Sequence, residues 1–213
     1  FIAERLRKVA ENRLASKAAS TRDFAERPYR FVQIAGVAKS RQILVPGVSS
    51  ENRDYLPCDY LDNAVIASNK LFAIYDAPLW NLALVASRLH WVWIGTVCVR
   101  MRTDFSYSNT VGWNTFPIPG LTEKNITDLT RTAEEILLVR EGHWPATIAD
   151  LYDPEKMPDD LRAAHERNDE VLERIYIGRR FKNDTERLEK LFELYTKMTT
   201  KQGAPKSRKA GAQ

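Results

Sequence analysis

The chain has 213 residues, 44% of them hydrophobic and 28% charged, which is apolar content adequate for a real core in one domain or two small ones. A net charge of +4 leans only mildly toward an anionic partner, and a solvated surface of mixed sign accounts for it as well. Cys58 and Cys98 lie far apart and in no zinc-ligand spacing, which argues against a disulfide scaffold or structural zinc and suits a reducing, cytoplasmic setting.

The first residues, Phe1-Ile2-Ala3-Glu4, include no initiator methionine and no secretory leader, and they begin as if in mid-helix, as a piece of a longer protein would. Ile2, Leu6, Val9, Ala10 and Leu14 recur at helical spacing, so an amphipathic helix is expected from Phe1 to about Ala19. Two strands are expected next, Arg30–Gly36 and Arg41–Pro46, joined by a turn over Gly36–Ser40. Ala64–Ala67 and the apolar run Lys70–Tyr75 read as further short strands. Asp76-Ala77-Pro78 reads as a helix start with Asp76 as its cap, and one apolar helix is expected from Leu79 to Val99. Asn81, Arg88 and His90 inside that run make it a core helix rather than a membrane span, with Trp80, Trp91 and Trp93 as core packing.

The stretch Met101–Pro119 differs from its surroundings, mixing aromatics with hydroxyls, amides and the pair Arg102 and Asp104. Beyond it the pattern is helical. Thr122 caps a helix to about Arg140, Asp159 or Asp160 caps a second that Gly178 stops, and a third runs from Asp184 to about Met198. The segment from Thr199 is basic and free of acids, and reads as a disordered tail. The whole is expected to be α+β: a small sheet with flanking helices over residues 1–119, a helical unit over 120–198, and the tail 199–213.

No glycine-rich phosphate loop, G-x-S-x-G or H-E-x-x-H motif occurs, and His90, His143 and His165 are scattered. His165 reads as a partly buried histidine satisfied by a neighbour. Bond chemistry is therefore not expected of this segment. A helical protein-interaction module and an enzyme built from distant residues around His143 or His165 remain the competing readings.

Ser87-Arg88-Leu89-His90-Trp91, Arg102-x-Asp104-Phe105-x-Tyr107-Ser108 and Trp113-Asn114-Thr115-Phe116-Pro117-x-Pro119 together resemble the target recognition domain of type IIL single-chain restriction-modification enzymes. Arg13–Ser16 with Pro28–Phe31, Val45–Arg53, and Leu151–Pro154 with Met157-Pro158 and His165 extend the resemblance over nearly the whole chain. The resemblance implies sequence-specific recognition of double-stranded DNA on behalf of an adenine-N6 methyltransferase, within a restriction-modification or other phage-defence protein. An upstream domain of the same chain, in this family usually fused to a nuclease, would then hold S-adenosylmethionine and accept the extruded adenine. The Asn-Pro-Pro-aromatic catalytic motif of the family does not occur here.

The resemblance also implies that Arg102 and Asp104 set base choice at one position and that Ser106 contributes to it. Arginine suits guanine O6 and N7, and aspartate suits cytosine N4. On an extended segment two residues apart, Arg102 and Asp104 would face the same way. The competing reading is an exposed ion pair of little value. Arg100, Tyr107, Ser108 and Asn109 are expected to contact phosphate or shape the loop, with Arg41, Lys39 and Arg53 adding basic surface. Trp113, Phe116 and the prolines are expected to pack this part against the C-terminal helices.

Overall fold

The computed structural model describes residues 1–32 and 36–203, and the chain divides into two compact units, Phe1–Val37 and Ala38–Gln213. The first unit contains α1 (Ile2–Leu14) and the single turn α2 (Ala19–Arg22). Arg13 organises it by donating to the carbonyls of Phe24, Arg27 and Arg30. The apolar stripe of α1 contains no buried residue. The expected strand Arg30–Gly36 falls partly on residues 33–35, outside the described residues, while Arg30 to Val32 are irregular.

The second unit is α+β. Its strands are β1 (Arg41–Pro46), β2 (Val48–Ser49), β3 (Asp59–Asp62), β4 (Leu71–Tyr75), β5 (Arg100–Met101) and β6 (Asp104–Ser106). Its helices are α3 (Trp80–Val85), α4 (Arg88–Val97), α5 (Glu123–Gly142), α6 (Ile148–Leu151), α7 (Asp159–Ile177) and α8 (Asp184–Gly203), with a π-helical turn at Asn109–Trp113. Two antiparallel sheets form, in the orders β3-β1-β4 and β2-β6-β5. Position 119/120 lies inside this unit, where α5 packs on both α3 and α7.

β1 falls where its β-branched run predicts; both of its edges are paired, and four consecutive residues, Gln42 to Val45, are buried, so both of its faces are covered there. The expected strand at Ala64–Ala67 is a loop instead. Pairing with β1 selects Asp59–Asp62, and Gln42 Nε2 donates to the carbonyls of Asp62 and Val65 to hold the chain past that point. Asp76 is not a helix cap. It leaves β4 with a left-handed φ of 54°, and its carboxylate accepts from the N–H groups of Ser40 (2.9 Å) and Lys39 (2.8 Å), which hold its pKa below the usual carboxylate value.

The expected single helix Leu79–Val99 is two helices, broken at Ala86-Ser87. Ser87 is the N-cap of α4: its hydroxyl accepts from the N–H of His90 at 3.1 Å, satisfying a donor that a continuous helix would have bonded internally. This break lets α3 run through the centre, with Asn81 to Val85 all buried, while α4 turns to present Trp91 and Gly95 to the second sheet. Thr122 caps α5 in a capping box with Asn125, and Gly178 (φ 78°) stops α7, both as the sequence predicts. Pro158 is the N-cap of α7, with Asp159 and Asp160 in its first turn. α8 continues to Gly203, through the start of the expected tail, and residues 204–213 lie outside the described residues.

A polar network ties the helices to one another. Thr132 donates to Asn168 at 2.7 Å and Asn168 to the carbonyl of Ala83 at 2.8 Å, joining α5, α7 and α3. Asp169 accepts from the hydroxyl of Tyr55 (2.9 Å) and from the N–H of Arg88 (2.8 Å). Glu173, fully buried, accepts two bonds from Arg187 and one from the N–H of Phe181. The carboxyl groups of Asp169 and Glu173, placed out of water, thus have hydrogen-bond partners, as burial demands.

Candidate nucleic-acid interface

The sheet β2-β6-β5 has an inner and an outer face, and the strand register assigns each side chain to one of them. Residues directly opposite in an antiparallel pair point the same way, as do residues two apart in one strand. Phe105 pairs with Ser49 and with Arg100, so these three share the inner face. Val48 pairs with Ser106 and Met101 with Asp104, so these four share the outer face. Val99 joins them, because it stands two residues from Met101 and accepts from the N–H of Ser106 at 2.9 Å.

The inner face is rigidly held. Phe105 is buried, its ring edge-on to Trp91 at 4.8 Å between centroids. It also closes over Gly95, where a Cβ would come within 3.1 Å of the phenyl ring, so the close approach of helix and hairpin needs glycine. Arg100 lies over the same ring at 4.6 Å, pairs with Glu51 at 2.5 Å and donates to the carbonyl of Thr103 at 3.1 Å. It therefore braces the hairpin turn. Glu51 was not singled out in the sequence; only the register of a folded hairpin brings it to Arg100.

The outer face is open. Val99, Met101 and Val48 are 76%, 60% and 45% exposed, and Asp104 and Ser106 are half-buried beside them. Arg102 and Thr103 form the two-residue turn beyond, both exposed. Arg102 has a φ of 61° and Thr103 does not have positive φ, the pattern of a type II′ hairpin turn. The expectation that Arg102 and Asp104 project from one face of a straight segment is thus corrected. Asp104 shares its face with Met101 and Ser106, while Arg102 occupies the tip. Among the described residues neither Arg102 nor Asp104 forms an ion pair.

The other expected contacts divide between surface and core. Tyr107 is a core residue: it is buried, its hydroxyl meets His90 Nε2 at 3.2 Å, and desolvation pushes its pKa well above the usual phenol value. Its hydroxyl is thus engaged inside the fold. Burial likewise pulls His90 down to about 3, so that ring is neutral at physiological pH. Ser108 precedes the π-helical turn, its carbonyl accepting from Gly112, and Asn109 opens that turn on the surface. Arg41 is exposed on the other sheet, over the ring of Tyr60 at 5.6 Å. Arg53 points inward to the carbonyl of Tyr152 (3.2 Å), and the backbone of Lys39 is held by Asp76. Phe116 is buried, and Tyr176 of α7 donates to the carbonyl of Pro117 at 2.8 Å, so this segment packs against the C-terminal helices as expected.

The other histidines are each held by named neighbours. His165 is fully buried, bonded to the hydroxyl of Tyr152 at 2.8 Å and to the carbonyl of Ala86, stacked on Tyr55, and burial lowers its pKa to about 3. His143 pairs with Asp160 at 2.8 Å on the surface. Among the described residues no three His, Cys, Asp or Glu side chains are grouped to hold a metal, and no helix is long and apolar enough to cross a membrane.

The chain belongs to the MmeI family: residues 1–120 match the family described as "MmeI, target recognition domain" and residues 121–202 the one described as "MmeI, C-terminal domain". A relative, "DNA methyltransferase A" of Bacillus subtilis (strain 168), is 38% identical over 199 residues, which is 93% of this chain and 22% of that protein. The solved structure of the type IIL restriction-modification enzyme MmeI in complex with DNA superimposes with a TM-score of 0.85 at 34% identity, over 93% of this chain and 26% of that one. The chain thus spans about a quarter or less of the length of the relatives it matches.

Proposed function

We propose that this chain reads the sequence of duplex DNA for a DNA methyltransferase of the restriction-modification type, one that modifies adenine at N6. Its catalytic domain, with S-adenosylmethionine, is assigned to another part of the same protein. Residues 1–119 form the recognition part and 120–198 the helical support, and this segment performs no bond chemistry itself.

The observation that carries the reading is the hairpin Arg100–Ser106, in a chain of the MmeI family. Its inner face is fixed by Phe105 on Gly95 and Trp91, and its outer face and tip present Asp104, Ser106 and Arg102 to solvent. A two-stranded ribbon fits the major groove, where each base pair displays a distinct pattern of donors and acceptors. Arg102 at the tip reaches deepest and suits guanine O6 and N7. Asp104, behind it on the outer face, suits cytosine N4, and the hydroxyl of Ser106 can serve either kind of group. Asn109, Ser108 and Arg41 are left for the phosphate backbone, where contacts fix register without reading sequence.

The test exchanges the charges, Arg102→Asp with Asp104→Arg, in the full-length protein and reads methylation across a library of sites. A change of preference at one base pair is expected. Unchanged preference with methylation intact rules the assignment out. Duplex binding should also weaken steeply with salt, as phosphate contacts require.

A further inference from the structure

The outer face of the β2-β6-β5 sheet carries more than hydrogen-bonding groups. Three of its side chains are apolar and exposed, Val99 at 76%, Met101 at 60% and Val48 at 45%. The register sets Met101 directly across from Asp104 and Val48 directly across from Ser106, with Val99 beside Ser106 on the other edge. Each polar side chain on this face therefore has an apolar one as its immediate neighbour. Opposed Cβ atoms in such pairs stand roughly 5 Å apart, so a group meeting Asp104 also meets the thioether of Met101.

We infer that Met101 is a specificity-determining residue that reads the 5-methyl group of a thymine in the major groove, next to the base pair addressed by Asp104. The inference rests on the proposed DNA-reading role of this face and names a chemical feature that the charged pair cannot detect. Thymine is the one standard base that displays an apolar group in the major groove, and apolar side chains recognise it by contact. The alternation on this face matches that surface. A carboxylate and a hydroxyl suit base amino and carbonyl groups, and the flexible, polarisable Met101 suits a methyl group between them. Val99 and Val48 extend the apolar strip away from the tip, where thymine methyls of neighbouring pairs would pass. An apolar strip of this kind draws no benefit from phosphates, so the match favours base edges over the backbone. Among the described residues none of these three side chains is buried in the core, and Phe105, Ser49 and Arg100 hold the sheet from the other side.

The test uses the full-length protein and duplexes bearing its recognition site, with each thymine in turn replaced by deoxyuridine, which removes only the methyl group. At one thymine the wild-type protein is expected to lose about fourfold in kcat/KM or in affinity, the value of one buried methyl. Met101→Gln, of similar length but polar, should erase the difference between thymine and uracil at that position, and Met101→Leu should preserve it. Equal treatment of thymine and uracil at every position overturns the inference, as does a difference that survives in Met101→Gln. If charge exchange at Arg102 and Asp104 still shifts preference while the uracil series is flat, only Met101 is misassigned. If neither responds, the DNA-reading role of the face fails with it.

Discussion

Asp169 offers a test of the helical support that depends on pH in a calculable way. It sits between α7, the start of α4 and Tyr55, with Glu173 on its own helix and Arg187 of α8 as the nearest other charges. Burial raises its pKa to about 7, outweighing the hydrogen bonds from Arg88 and Tyr55 that favour the charged form. In an unfolded chain the same carboxyl titrates near about 3.9. Between these values the native protein holds a proton that the unfolded chain has released. The stability this group confers is therefore full below about pH 4 and is lost as pH rises through about 7.

The slope is about 1.4 kcal/mol per pH unit, so the native protein gives up on the order of 3 kcal/mol from this group between pH 5 and pH 8. Asp169→Asn stays neutral throughout. Its carbonyl can accept from Arg88 and its amide can donate to Tyr55. Urea unfolding of both proteins at pH 5, 6, 7 and 8 should show the asparagine variant gaining about 3 kcal/mol relative to wild type across the range. His90 and His165, each held near 3 by burial, weaken both proteins alike as pH falls below about 6.5, and so cancel in the difference. A difference that stays flat with pH refutes the reading of Asp169 as a buried acid that keeps its proton.

Two further outcomes follow from the contacts. Glu173→Ala leaves the largely buried Arg187 guanidinium with Asp184 alone as its carboxylate partner and strands the N–H of Phe181, and should cost about 1–3 kcal/mol, read as a lower urea midpoint at unchanged m. Thr122→Ala removes the capping box of α5 and should cost about 1 kcal/mol in thermal unfolding.

What could be read from the residues depended on whether a local signal had a single meaning. β1, the capping box at Thr122 and the stop at Gly178 were legible because β-branched runs, hydroxyl caps and a left-handed glycine each act through their own backbone. The break between α3 and α4 carried a signal too, the hydroxyl residue Ser87 in an apolar run, but continuous hydrophobicity masks a cap. The turn at Arg102-Thr103 was not legible, since it lacks the glycine or asparagine that marks most two-residue hairpins. Tertiary pairing imposes it, and with it the outer face. Once the turn is placed, the alternation Val99-x-Met101 becomes a row of exposed side chains, which the residues alone divided between the end of an apolar helix and the polar stretch after it. The positions named for base reading came from family resemblance, and their grouping as Asp104 with Ser106 and Met101, rather than Asp104 with Arg102, came from the register.

The division of the small sheet between Phe105, Ser49 and Arg100 on one side and Val48, Met101, Asp104 and Ser106 on the other also bears on how such a protein can change over time. Folding depends on the first set, and contact with solvent or partner falls to the second. A substitution on the open side leaves the ring of Phe105 seated on Gly95 and creates no cavity, so it carries little of the destabilisation that most mutations bring. Under the proposed function, letters of the recognised site could then be exchanged singly on an unaltered frame. Selection on what this face contacts is freed, at these few positions, from selection on whether the chain folds.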